Sequence, residues 1–242
     1  MGKTSLALRE VINSPKTSEF LLNIYHILLQ AYGYRNKWFG DTRDEIIIGA
    51  ILTQNTNWLN VEKSLSNLRN ANLLSLSEIS KLPIQALAQQ IKPSGYHNQK
   101  AQRLIEIAGK LLTDELPTDF AGRRKYLLSL KGLGPETTDC ILLYADQIPV
   151  FVIDAYTIRI FSRLGLCSDK VKYHDLQHWF CVHLPEDLKL YQEFHALLIK
   201  LAKTACLKKP RYSLCPLQAL CPTSFGKQIF KAFPQKIEFS CL

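Results

Sequence analysis

No stretch of the 242 residues stays apolar for the roughly 20 positions that a bilayer-crossing helix requires, so helical membrane spanning is not expected. The opening MGKTSLALREVINSPK places charges where a secretory leader needs an unbroken apolar core, and secretion is not expected. Low-complexity tracts are missing as well. Gly and Pro number 11 each and build no repeat, so the charge of the chain decorates a folded body instead of a disordered tail. Acidic residues are in deficit: 30 Lys and Arg stand against 21 Asp and Glu, a formal net charge of +9. Such an excess on a globular surface suits a polyanionic partner. A disulfide framework is absent too. The seven cysteines, at 140, 167, 181, 206, 215, 221 and 241, are odd in number and do not read as the scaffold of a small secreted domain. A reducing, cytoplasmic setting is expected. The first three cysteines lie in apolar helical text such as CILLYA and HWFCVHL and are expected to be small buried hydrophobes.

What the chain does have is apolar residues at helical spacing. Phe20, Leu21, Ile24, Ile27, Leu28 and Ala31 form one stripe, and Ile46, Ile47, Ala50 and Ile51 another. Further helices are predicted over 57–70, 83–91, 98–113, 123–129, 135–146, 154–165, 173–184 and 186–205, divided by short Pro, Gly, Ser and Asn punctuation. The β-like run IPVFVID at 148–154 is too short and solitary to build a sheet. The fold class expected is all-α. The six histidines offer no spacing that defends a metal triad; His174 and His178 lie four apart, yet without a third ligand.

Two segments carry chemistry. Leu127 to Asp139 ends one helix, turns through Gly132-Leu133-Gly134 and restarts at Pro135, a favoured first-turn residue. This is a helix-hairpin-helix pattern, spanning about 127–142. Its glycines let backbone approach a phosphate, and the amides of the second helix point outward with the positive end of its dipole. Such a turn can hold DNA without reading sequence; the alternative is a simple tight turn between helices. Twenty residues further on, Val150-Phe151-Val152-Ile153-Asp154 delivers one carboxylate directly before a helix. By itself that Asp reads as a helix cap.

The hairpin followed at this distance by Asp154 resembles the endonuclease III (HhH-GPD) superfamily of DNA glycosylases. Two further segments extend the likeness over roughly residues 38 to 222. Gly49 to Thr56 resembles the family segment whose glutamine, here Gln54 with Asn55 beside it, enters the space left by an extruded base. Gly95 to Ala101, with Asn98 and Lys100, resembles a second DNA-facing loop. The resemblance implies two helical domains with the DNA cleft and Asp154 between them: a helical barrel at 41–149, a second domain from 1–40 plus 150–225, and a tail at 226–242. It also implies a monomer acting on double-stranded DNA with a damaged base, without a membrane. In members that also nick the strand, a lysine follows the second hairpin glycine by two positions and forms a Schiff base. Glu136 stands there instead, so Asp154 and Glu136 are the candidate catalytic residues and the imine route is not expected. Lys131 and Lys203 are expected to be phosphate contacts or surface charges. Asp154 would stabilise positive charge on the sugar and orient or deprotonate a water. The likeness runs closest to the monofunctional 3-methyladenine glycosylases, where Trp38 and Phe39 would stack on an electron-poor alkylated purine. The alternatives are a bifunctional glycosylase and lyase, or a non-catalytic helix-hairpin-helix DNA-binding protein.

The run from Cys206 to Cys221 resembles the loop that binds a 4Fe-4S cluster in many of these enzymes. Such a cluster wants four thiolates. Cys206, Cys215 and Cys221 supply three, Tyr212 holds the remaining position, and Cys241 is the one stand-in. No cofactor is expected to be required for catalysis. Lys208, Lys209 and Arg211 in this loop would contact phosphate.

Overall fold

A computed structural model describes residues 16–35 and 40–225. Among them every regular element is helical, and no strand occurs. The chain divides into two compact units, one from 37–150 and one from 1–36 with 151–242.

The unit at 37–150 is built around α2 (Arg43–Leu52), with α1 (Lys16–Tyr32) belonging to the other unit. Thr42 starts α2 by accepting the Glu45 N–H on its hydroxyl at 3.1 Å. Ile46, Ile47, Ile48, Ile51 and Leu52 are all buried, which makes α2 a core helix apolar on more than one face. Its one buried acid, Glu45, is compensated by Arg69 and by the Asp41 N–H. Against it pack α3 (Trp58–Asn70) and α6 (His97–Thr113), and α4 (Leu76–Ser80) and α5 (Ile84–Gln90) pack on α6. In α6, Ala101, Leu104, Ala108 and Leu111 repeat at steps of three and four and form its buried stripe.

Next come α7 (Phe120–Ser129) and α8 (Pro135–Cys140), which continues into a wider turn at Ile141–Ala145. They make the hairpin. Arg124 clamps the fully buried Asp139 with two hydrogen bonds, of 2.7 and 3.0 Å, tying α7 to α8. Asp146 takes Arg43 at 2.8 Å and Arg123 at 3.1 Å, fixing the exit of the wide turn against the start of α2.

In the other unit, α1 packs on α10 (Tyr173–His183) and α11 (Leu188–Thr204), and α9 (Ala155–Arg163) packs on α11. The run at 148–154 is extended and makes no sheet; it carries Phe151, Val152 and Ile153 into the core. Phe151 stacks on Phe180 at 4.1 Å and meets Tyr191 and Phe194 edge-on. Gln177 donates to the Phe151 carbonyl at 2.8 Å, satisfying backbone that a sheet would have paired.

Two expectations need correction. Of Cys140, Cys167 and Cys181 only Cys167 is buried, and it lies in the bend after α9, not in a helix; Cys140 is half-buried and Cys181 is exposed, on the solvent side of α10. The helix expected at 123–129 begins at Phe120, because Asp119 caps it by accepting the Gly122 N–H at 2.8 Å. The short helix α4 was not expected at all. Ser75 caps it, and Asp44 of α2 accepts the Leu76 N–H at 2.9 Å.

Candidate active site

Asp154 caps α9, and the capping uses one of its two oxygens. Oδ1 accepts the Thr157 N–H at 2.7 Å and the Thr157 hydroxyl at 2.8 Å. Oδ2 faces His195 of α11, whose Nε2 lies 3.7 Å away. Asp154 is 8% exposed, His195 2% and Thr157 0%. Burial pushes the carboxyl up, but the nearby His195 imidazole and the two Thr157 donors together outweigh it and hold the group below its ordinary value. The cap is therefore real and leaves chemistry available: a buried carboxylate, kept ionised, with one oxygen not consumed by the helix start. Histidine spacing gives no sign of His195's place here, because its partner lies 41 positions earlier in the chain, where no local pattern signals it.

The hairpin turn separates its glycines into different roles. Gly132 has φ +98°, in the left-handed region, and a Cβ there would meet Arg103 Cδ at 2.7 Å. Gly134 has an ordinary extended backbone, φ −90° and ψ 174°, and open space where a Cβ would go. Glu136 is exposed in the first turn of α8.

Gln54 lies just past the end of α2 and its amide donates to the Gly132 carbonyl at 2.9 Å and to Thr137 Oγ1 at 3.1 Å. The structure thus joins the Gln54 segment to the hairpin within one unit. Asn55 beside it is exposed with φ +54°. In the second loop Gly95 (φ +70°) and the exposed Tyr96 (φ +47°) make a tight corner into α6, and Asn98 is exposed on its first turn.

Lys100, which the resemblance places in the DNA-facing loop, turns its ammonium inward. It is 3% exposed, and its ammonium donates to the Leu52 carbonyl at 2.8 Å and the Ser94 carbonyl at 2.7 Å. Burial lowers its pKa to about 8. A cation held inward by two carbonyls braces the Gln54 segment against the Gly95 loop from beneath. Trp38, Phe39 and Cys241 lie outside the described residues. Lys131 and Lys203 are both exposed, as are Lys208, Lys209 and Arg211.

Among the described residues the donors of the C-terminal loop do not fit a 4Fe-4S cluster. Tyr212, in a short turn at Tyr212–Leu214, offers a hard phenol where a thiolate is wanted. Cys206 Sγ accepts from Arg163 at 3.2 Å, and Cys221 Sγ sits 3.1 Å from the Thr223 hydroxyl. The Cys215 thiol is pushed up by burial and by Cys206 and Cys221 nearby. Among the described residues no three His, Cys, Asp or Glu side chains converge to hold a metal ion. The loop is instead stapled to α9: Arg159 donates to the Cys206 and Ala202 carbonyls, and Arg163 to those of Leu207 and Lys208.

A helix-hairpin-helix turn through Gly132 and Gly134 and a buried carboxylate capping the helix that begins at Ala155 are the pattern expected of a base-excision DNA repair protein. Residues 48–181 match the model of the HhH-GPD superfamily base excision DNA repair protein, and the chain belongs to that family. It is 42% identical over 211 residues to a Methanocaldococcus jannaschii protein named "Putative DNA repair glycosylase", covering 84% of this chain and 96% of that one. Among solved structures it is similar to an H. pylori 3-methyladenine DNA glycosylase bound to 1,N6-ethenoadenine. There the identity is 30% and the TM-score 0.63, over 78% of this chain and 96% of that one. A non-covalent endonuclease III–DNA complex shares the fold, with TM-score 0.75 at 19% identity over 86% and 97% of the two chains. No described helix is long and apolar enough to cross a membrane.

Proposed function

We propose that this protein is a monofunctional DNA glycosylase that hydrolyses the N-glycosidic bond of an alkylated purine flipped out of duplex DNA. The observation that carries the reading is the Asp154 carboxylate, buried yet held below its ordinary pKa, with Oδ1 spent on the helix cap and Oδ2 left for chemistry. As the bond to the base breaks, positive charge gathers on the sugar; a fixed carboxylate stabilises it and orients the attacking water. An alkylated purine leaves readily because its ring is already electron-poor. Its similarity to a protein crystallised with 1,N6-ethenoadenine supports that substrate class. Glu136 at the lysine position supports hydrolysis over lysine-based strand nicking, since a carboxylate forms no imine.

In this reading the backbone around Gly132 and Gly134 grips phosphate, Gln54 and Asn55 hold the gap in the base stack, and Asn98 lies along the strand. Trp38 and Phe39 stack on the extruded base. The protein acts as a monomer, in the cytoplasm or on the nucleoid, without a resident iron cluster. The test is single-turnover base release from duplexes carrying 3-methyladenine, 1,N6-ethenoadenine, an oxidised pyrimidine or a mispaired thymine. Release of the alkylated purines ahead of the others is expected. Preference for the oxidised pyrimidine would replace this reading with the endonuclease III type, and release from none would leave a DNA-binding protein.

A further inference from the structure

We propose that His195 is a positioning residue for base excision, donating from Nε2 to Oδ2 of Asp154 and fixing the plane and charge of that carboxylate. The inference rests on the catalytic reading of Asp154 given above. Thr157 holds only Oδ1, with two donors on one oxygen, and a carboxylate held at one oxygen still swings about its Cβ–Cγ bond. Oδ2, the oxygen left to meet the sugar, needs its own restraint. Within the unit at 151–242, α11 brings His195 to it, itself almost wholly buried.

The separation of 3.7 Å is informative. It exceeds a hydrogen bond by about 0.8 Å, and it is too short for a bridging water, which needs about 4.5 Å between its partners. The two groups therefore interact directly or not at all, and a small swing of either side chain closes the bond. Catalytic hydrogen bonds are often long before substrate binds and tighten in the reacting complex. Either protonation state of the imidazole can place N–H on Nε2. The neutral form leaves the carboxylate its full negative charge, which the sugar cation requires.

Among the described residues, the groups acting on the Asp154 carboxyl are His195 from α11 and Thr157 from its own helix. Glu193, two residues before His195, accepts the Arg35 N–H at 2.6 Å. Tyr25 on α1, which packs on α11, has its hydroxyl pushed up by burial and by Tyr34, Glu193 and Asp187, so it stays neutral.

The test compares His195→Leu, which removes the donor, with His195→Gln, which keeps an N–H. His195→Leu is expected to slow single-turnover base release on the order of 10- to 100-fold, with affinity for an abasic-analogue duplex unchanged. His195→Gln should restore most of the rate. In the Asp154→Asn background, His195→Leu should add nothing, because the carboxylate it serves is gone. Wild-type rates in His195→Leu, or a full additional loss in the Asp154→Asn background, would overturn the proposal. A substrate-free readout keeps this separate from the function itself: carbon-13 titration of the Asp154 carboxyl in the full-length protein. Its pKa should rise in His195→Leu and move little in His195→Gln. An equal pKa in wild type and His195→Leu would overturn the pairing even if base release succeeds. Failure of every substrate with the titration shift intact would overturn the glycosylase reading and leave the pairing standing.

Discussion

At the scale of single residues, the account turns on whether Asp154 is only a cap. Asparagine caps a helix about as well as aspartate but carries no charge. Asp154→Asn should therefore fold, bind duplex nearly as wild type does, and release base at least about a hundredfold more slowly. Gel-shift and single-turnover assays on one preparation check both halves; unchanged release would reduce Asp154 to its cap. Linkage gives a second readout. The folded carboxyl lies below its unfolded value, so the stability it contributes is complete above about pH 3.9 and is lost as pH falls through the folded value. The melting-temperature advantage of wild type over Asp154→Asn should accordingly narrow in acid.

Lys100 shows the limit of reading one residue from a motif. A lysine in a DNA-facing loop of a basic protein reads as a phosphate contact, yet its aliphatic stem follows the buried stripe of α6 and carries the ammonium inward. Lys100→Met should destabilise the fold by about 2–4 kcal/mol, since two carbonyls lose a charged donor. It should also leave the slope of log affinity against log salt unchanged. A slope reduced by about one counterion would return Lys100 to the DNA interface.

At the scale of elements, the helices were legible because each buries a stripe that recurs at steps of three and four. Their ends were less so. The caps at Thr42, Ser75 and Asp119 depend on which short polar side chain reaches back to an amide, and several candidates stand near each boundary. The hairpin was legible as a pattern, but not the division of labour between its glycines. Gly132 is required by its own backbone, so Gly132→Ala should cost about 1–2 kcal/mol in folding. Gly134 is free of that constraint. Gly134→Val should keep stability within about 1 kcal/mol yet weaken binding to every duplex alike, because only an approaching phosphate meets the new side chain. Denaturant unfolding beside fluorescence anisotropy separates the two; wild-type affinity in Gly134→Val would make the hairpin a structural turn alone.

The C-terminal loop makes the converse case. Its sequence pattern points to iron, and its geometry points to arginine: Arg159 and Arg163, one turn apart on α9, hold the loop carbonyls themselves. Anaerobically purified protein should contain well under the roughly four irons per chain of a full cluster. Tyr212→Cys should raise the iron and sulfide content if the three cysteines keep ligand geometry. A stoichiometric, air-stable cluster in wild type would contradict the reading of Tyr212 as a broken ligand.

At the scale of the whole molecule, composition and charge already pointed to a folded, basic, helical protein with a polyanionic partner, and the motifs gave the family. What they could not give was the company of Asp154. His195 reaches it only because α9 and α11 pack together, a fact of tertiary structure with no trace in local spacing. The central claim is that this chain cuts the bond to the base by hydrolysis and forms no covalent link to DNA. Borohydride trapping reads that directly: the protein is incubated with duplex carrying 1,N6-ethenoadenine, and separately with abasic duplex, in the presence of reductant. The account predicts free base, a strand that stays intact until alkali is added, and no protein–DNA adduct on denaturing gels. An adduct on either duplex, with strand cleavage before alkali, would show an amine nucleophile at work and contradict it.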